Sequence, residues 1–102
     1  MIICEEMKKL RAELERLCVP YTDASEEWLT FYEIHNMAVE NWICRTHFEV
    51  QGKKYSVVNG FGTLGGYNRG NSNEGLLEIM YPNGISEGYM TSKEIIQKIK
   101  VK

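Results

Sequence analysis

Two histidines, three cysteines, a pair of glutamates and one glycine-rich loop hold whatever chemistry this chain can perform. A serine, threonine or cysteine nucleophile needs a partnered base, and neither His35 nor His47 stands in a motif that supplies one. His35 reads as a boundary or surface histidine, not a ligand. Cys4, Cys18 and Cys44 are an odd number with no C-x-x-C spacing, so neither a disulfide framework nor a zinc knuckle is expected, and buried reduced thiols are the simpler reading. Cys44 and His47 have the spacing of a ligand pair, but on a strand an odd separation sends them to opposite faces. Glu74 and Glu78 fall on one face of a strand, yet a carboxylate pair alone specifies neither general acid nor base. No catalytic constellation, metal site or cofactor follows from these residues, and a non-enzymatic protein is expected.

The glycine-rich loop is the stronger signal. Asn59 to Gly75 holds six glycines in seventeen residues. So little Cβ allows positive φ and a close approach of backbone N–H groups to a ligand or partner. Gly60-Phe61-Gly62-Thr63-Leu64-Gly65 matches G-x-G-x-x-G, but the dinucleotide-binding use of that pattern needs a helix N-terminus, which Gly66-Tyr67-Asn68-Arg69-Gly70-Asn71 does not start. A kinase-type flap is excluded by length and by the absence of H-R-D and D-F-G. What survives is a flap whose amides form an anion-binding nest, with Arg69 as charge partner, Phe61 and Tyr67 as stacking surfaces and Arg45 near the strand edge. The candidate ligand-binding set is Arg45, Gly60, Phe61, Gly62, Thr63, Gly65, Gly66, Tyr67 and Arg69. The alternative is a structural crossover whose aromatics cover the sheet, with its asparagines serving local turns.

The elements that position this loop are legible in part. Ile3, Met7, Leu10, Leu14 and Leu17 form the apolar stripe of a helix from about Ile3 to Cys18, stopped by Pro20, with Arg11 among the charges on the other faces. Two heptads are too short for a coiled coil, so the stripe is expected to pack on the chain's own sheet, with a homodimer seam as the lesser use. For 24–41 the reading divides: Ser25-Glu26-Glu27 looks like a helix start, with Trp28, Phe31, His35 and Ala38 near one face, whereas Thr30, Phe31, Tyr32 and Ile34 suit a strand. A helix is the expectation. Trp42 to Asn59 reads as a hairpin turning at Gln51-Gly52, which sets Phe48 opposite Tyr55, Thr46 opposite Val57 and Cys44 opposite Asn59, with Glu49 opposite Lys54 on the other face. Strands follow at Leu76–Tyr81 and Ile85–Met90. Thr91-Ser92-Lys93-Glu94 has the form of a capping box before a last helix with Ile95, Ile96 and Ile99 inward. The expected fold is a single α+β domain over 1–102, with a mainly antiparallel sheet of about four strands and N- and C-terminal helices on one face.

Composition agrees with a small globular domain: 43% apolar, 25% charged, net charge −2. The charge is uneven. Residues 20–44 hold Asp23, Glu26, Glu27, Glu33 and Glu40 with no lysine or arginine, while 53–102 carry seven basic and four acidic groups. General nucleic-acid binding would demand a stronger basic footprint. No apolar run approaches a membrane span and the N-terminus runs directly into charges, so a cytosolic location is expected.

Arg45-Thr46-His47-Phe48, Ser56-Val57-Val58-Asn59-Gly60-Phe61-Gly62-Thr63-Leu64-Gly65-Gly66-Tyr67, Gly75-Leu76-Leu77-Glu78-Ile79-Met80 and Gly88-Tyr89-Met90-Thr91 resemble small uncharacterised accessory proteins of phages and prophages of Gram-positive bacteria, over roughly 42–96. The resemblance carries no established activity. It implies a setting in which small proteins without enzyme motifs counter host defence. Two functions are expected from it. The first is sequestration of a small anionic ligand, such as a nucleotide immune signal, at the glycine loop. The second is a protein-binding inhibitor that occludes a host defence protein through 23–42, where Trp28, Phe31, Tyr32 and Trp42 are residue types enriched at interface hot spots.

Overall fold

The computed structural model describes residues 1–67 and 72–99. In chain order the elements are α1 (Glu5–Arg16), β1 (Tyr21–Asp23), β2 (Glu26–Tyr32), a single 3-10 turn (Glu33–His35), β3 (Met37–Val50), β4 (Lys53–Gly60), β5 (Leu77–Met80), β6 (Ser86–Met90) and α2 (Ser92–Ile99). The α+β class and the terminal helices are as expected from sequence. The strand number is not: six strands are present among the described residues, in the order β1-β3-β4-β5-β6, with β2 also paired to β3 and every pairing antiparallel.

The two extra strands come from 21–32: β1 precedes the helix expected over 24–41, and β2 replaces its first part. Strands β1 and β2 run along β3 in one continuous register, Asp23 opposite Thr46 and Glu26 opposite Ile43. The capping-type residues between them serve the strand break instead of a helix start. Asp23 accepts hydrogen bonds from the Ser25 amide and hydroxyl, and the Ser25 hydroxyl in turn accepts from the Arg45 amide. Local propensity was ambiguous here, and fourteen residues of β3 offered a ladder that a helix would have left empty.

Strands β3 and β4 form the predicted hairpin in the predicted register, from Val50 opposite Lys53 to Cys44 opposite Asn59. Gln51 and Gly52 both take positive φ, 53° and 77°, as a two-residue turn of the primed type requires. Alternation then sorts the faces: Cys44, Thr46, Phe48 and Val50 are buried, whereas His47 and Glu49 are exposed. Against the buried face pack Met7, Leu10 and Leu14 of α1 and Ile95 and Ile99 of α2, completed by Val57, Leu77, Ile79 and Met90.

Helix α1 ends before Pro20. The Val19 amide donates to the Leu14 carbonyl at 2.8 Å and the Cys18 amide to Glu15 at 3.0 Å, with Cys18 left-handed at φ 59°. This is a Schellman stop made by a residue other than glycine. It leaves Cys18 exposed, so the expectation of three buried thiols holds for Cys44 but not for Cys18. The capping box is present: the Glu94 amide donates to the Thr91 hydroxyl, and the Thr91 amide to the Glu94 carboxylate, both at 3.2 Å. Glu6 reaches across from α1 to accept from the Ser92 amide (2.8 Å) and hydroxyl (2.9 Å), and the amide bond is the main reason its carboxyl titrates below its ordinary range.

Beyond Ile43, β3 loses its β4 neighbour and pairs with β2 alone. The result is a two-stranded arm, 26–43, closed at its tip by Asn36 in left-handed conformation. The chain accordingly measures 53 × 25 × 22 Å, with a radius of gyration of 14.7 Å. A compact domain of this length has about 13 Å.

Candidate functional site

The glycine loop begins where β4 ends. Gly60 takes φ +147°, and a Cβ there would lie 2.5 Å from the Trp42 carbonyl. That close approach lets the Phe61 amide donate to the same carbonyl at 3.1 Å, the last rung between the two strands. The Thr63 hydroxyl then closes a ring: it accepts from the Gly60 amide (3.0 Å) and donates to the Gly60 carbonyl (2.8 Å). The Tyr67 amide donates to the Gly60 carbonyl and the Gly66 amide to the Thr63 carbonyl. The Leu64 amide goes to the Glu78 carboxylate at 2.8 Å, while its carbonyl accepts from the Tyr89 amide on β6. The loop's amides at 60, 61, 63, 64, 66 and 67 therefore donate to this chain's own oxygens.

Beneath the loop lies a polar pair that the sequence reading passed over. Asn59 is fully buried, and its side-chain amide donates to the Leu76 carbonyl at 2.8 Å. Asn59 and Asn73 also exchange side-chain amide bonds at 3.0 and 2.7 Å. The signal was available, because the β3–β4 register places a polar Asn59 on the buried face, where a buried amide must find partners. Asn73 is thus more than a turn residue.

The aromatics of the loop meet one another. Phe61 and Tyr67 stack at 4.2 Å with planes 3° apart, and Trp42 stands edge-on to both, at 6.0 and 5.7 Å. This cluster joins the loop to the base of the arm. Of the other expected site residues, Gly62 is open to solvent at φ +78°, and Gly65 passes so near Leu76 that a Cβ would sit 2.9 Å from that side chain. Arg45 lies within the central strand β3, not at a strand edge, and its guanidinium turns to the Ala24 carbonyl (3.2 Å) and Glu26 (3.6 Å), on the side away from β4. Arg69 falls outside the described residues. Arg11, expected on an outward helix face, is instead mostly covered: it donates to the Thr46 hydroxyl at 2.8 Å, to Asp23 at 3.2 Å and to the Arg45 carbonyl at 3.3 Å, tying α1 to the sheet.

The arm presents the opposite condition. Ile34 at its tip is 94% exposed, Leu29 67%, Phe31 59%, Tyr32 and Met37 49% each and Trp28 41%. Alternation gives it two faces: Leu29 and Phe31 lie on the side that carries Trp42, and Trp28, Tyr32, Met37 and Val39 on the other. A groove of about 240 Å³ at its base is lined by Met1, Glu27, Trp28, Leu29, Glu40 and Trp42. A larger open cleft of about 860 Å³ lies at the far end of the sheet, among Thr22, His47, Lys54, Ser56 and Met80. Above it Tyr81 donates to Glu87 at 2.7 Å, and burial first, then that bond, pushes its hydroxyl up to about 12.

Among the described residues no group of three or more histidines, cysteines or carboxylates is placed to hold a metal ion, and no helix is long and apolar enough to cross a membrane. Cys44 and His47 stand on opposite faces of β3, as their spacing implied. Comparison of the chain with protein-family models, curated proteins and solved structures finds no match.

Proposed function

We propose that this protein is a non-enzymatic binding module that docks on a target protein through the arm 26–43. In keeping with its resemblance to phage and prophage accessory proteins, the target would be a host defence protein that the arm occludes. One observation carries the reading. Six large apolar side chains stand exposed on a two-stranded ribbon that, among the described residues, has no third strand and no helix over either face. A lone hairpin is marginally stable in water, and large apolar side chains exposed on both of its faces mark an interaction surface. The glycine loop supports the arm: its inward-turned amides and self-stacked aromatics fix Trp42 at the arm's base.

The test is affinity capture from host cells with the intact protein and with the double variant Phe31→Ser/Ile34→Ser. The wild type is expected to retain a host protein that the variant loses, while both melt at the same temperature. A host protein retained equally by both would remove the arm from the function. A nucleotide that raises the melting temperature of both proteins, with no protein retained by either, would move the site to a small-ligand pocket.

A further inference from the structure

The direction of the main-chain groups along β2 says how a partner can join the arm. The Ala24 amide donates to the Arg45 carbonyl, and the same register continues to Tyr32 opposite Met37. In an antiparallel pair such rungs alternate, so Glu26, Trp28, Thr30 and Tyr32 turn their amides and carbonyls toward β3. Glu27, Leu29 and Phe31 turn theirs outward, where no strand of the described residues lies. Natural edge strands are guarded by lysine, proline, bulges or short length. Strand β2 is seven residues long, and from Trp28 to Tyr32 it has no charge and no proline.

We infer that the partner adds an antiparallel or parallel strand to the outer edge of β2, and that this strand belongs to another protein and is flanked by lysine or arginine. The inference rests on the arm being the docking surface. Main-chain bonds to Glu27, Leu29 and Phe31 supply the pairing, and the side chains of Leu29, Phe31, Trp28 and Tyr32 line the two faces of the added strand. Charge selects the occupant. Five carboxylates, Asp23, Glu26, Glu27, Glu33 and Glu40, lie in this part of the chain against three cationic groups, Arg11 on Asp23 (3.2 Å), Arg45 on Glu26 (3.6 Å) and the Met1 amino group on Glu27 (3.2 Å), so the arm keeps a net negative charge. A second copy would bring the same net negative charge against it, and its own far edge, β6, is blunted. There Tyr89 takes φ 56° and its amide is already bonded to the Leu64 carbonyl.

The experiment uses the whole chain and two fluorescent peptides of alternating valine and threonine, one flanked by lysines and one by glutamates, read by anisotropy. The lysine-flanked peptide is expected to bind about tenfold or more tighter than the glutamate-flanked one and to weaken several-fold between about 50 and 300 mM salt. Leu29→Pro removes one outward amide while leaving the rungs to β3 intact, and should cost about tenfold, whereas Leu29→Val should stay within about twofold. Leu29→Lys against Leu29→Glu repeats the test without touching the backbone: the lysine variant should lose the lysine-flanked peptide and the glutamate variant keep it. Equal binding of both peptides, or binding of neither, overturns the inference. Equal losses in Leu29→Pro and Leu29→Val would mean side-chain insertion in place of strand addition, overturning it while leaving arm-dependent capture of a host protein intact. A dimer in sedimentation that Leu29→Pro disperses would assign the edge to a second copy and overturn it as well.

Discussion

Residues 37–43 and 44–50 belong to one strand, β3, yet they meet opposite environments. In 44–50 each alternate side chain is buried, because β4 lies on one side, β1 on the other and both helices lie across that face. In 37–43 none is, since β2 is the one strand paired along it and the β4 ladder reaches no further than Ile43. The exposed half is the more apolar of the two, with Met37, Ala38, Val39, Trp42 and Ile43 against Cys44, Phe48 and Val50. Burial here is decided by how many elements converge, not by the strand's own residues. The half with neighbours is the fold. The half without them leaves its apolar side chains exposed or half-buried.

If that division is correct, substitutions should separate into two classes. The largest effects belong to the neighboured half. Phe48→Ala and Val57→Ala each leave a cavity in the core and should lower stability by about 2–4 kcal/mol in denaturant titration. Small losses at both would mean that the helices do not cover this face. Gly66→Ala comes next: its Cβ would run into the Gly60 carbonyl and the Thr63 hydroxyl, and overpacking at such a point costs about 1–3 kcal/mol. A loop that accepted this substitution without loss would be an open flap, as its composition alone suggested.

Glu6 gives a smaller effect with a defined pH dependence. Its folded-state value lies below the ordinary 4.5 because the ionised carboxylate accepts from the Ser92 amide. The stabilisation is therefore fully present above the ordinary value and disappears as pH falls through the folded one. Glu6→Gln should cost about 1–2 kcal/mol at pH 7. The gap to wild type should close in melts near pH 3, and a gap unchanged by acid would mean that the α1–α2 bridge is not ionic. The smallest stability effects are expected in the arm, where Phe31→Ser and Ile34→Ser should each fall within about 0.5 kcal/mol of wild type.

How far the sequence could reach follows the same division. The β3–β4 register was legible because one pairing sorts apolar from polar on both strands and puts a Gly-containing turn where it is needed. The Thr91–Glu94 box was legible because capping is a local exchange of hydrogen bonds. The arm was not, since 24–41 has no buried face to impose a period: its helix-start residues and its β-branched and aromatic residues compete, and only pairing with β3 decides. The glycine loop was half legible. Its glycines announced a close approach, but which backbone approached, at Gly60 the Trp42 carbonyl and at Gly65 the Leu76 side chain, depends on contacts far along the chain.

The central claim is that binding belongs to the arm and folding to the rest. A photo-crosslinking amino acid placed in turn at Ile34 on the arm tip, Leu64 on the glycine loop and Ile85 on the far turn, all exposed, tests it in host cells in one experiment. The expected result is a protein adduct from position 34 and none from 64 or 85. An adduct from 64 or 85 with none from 34 would contradict the account and return the glycine loop or the far end of the sheet to the centre of the function.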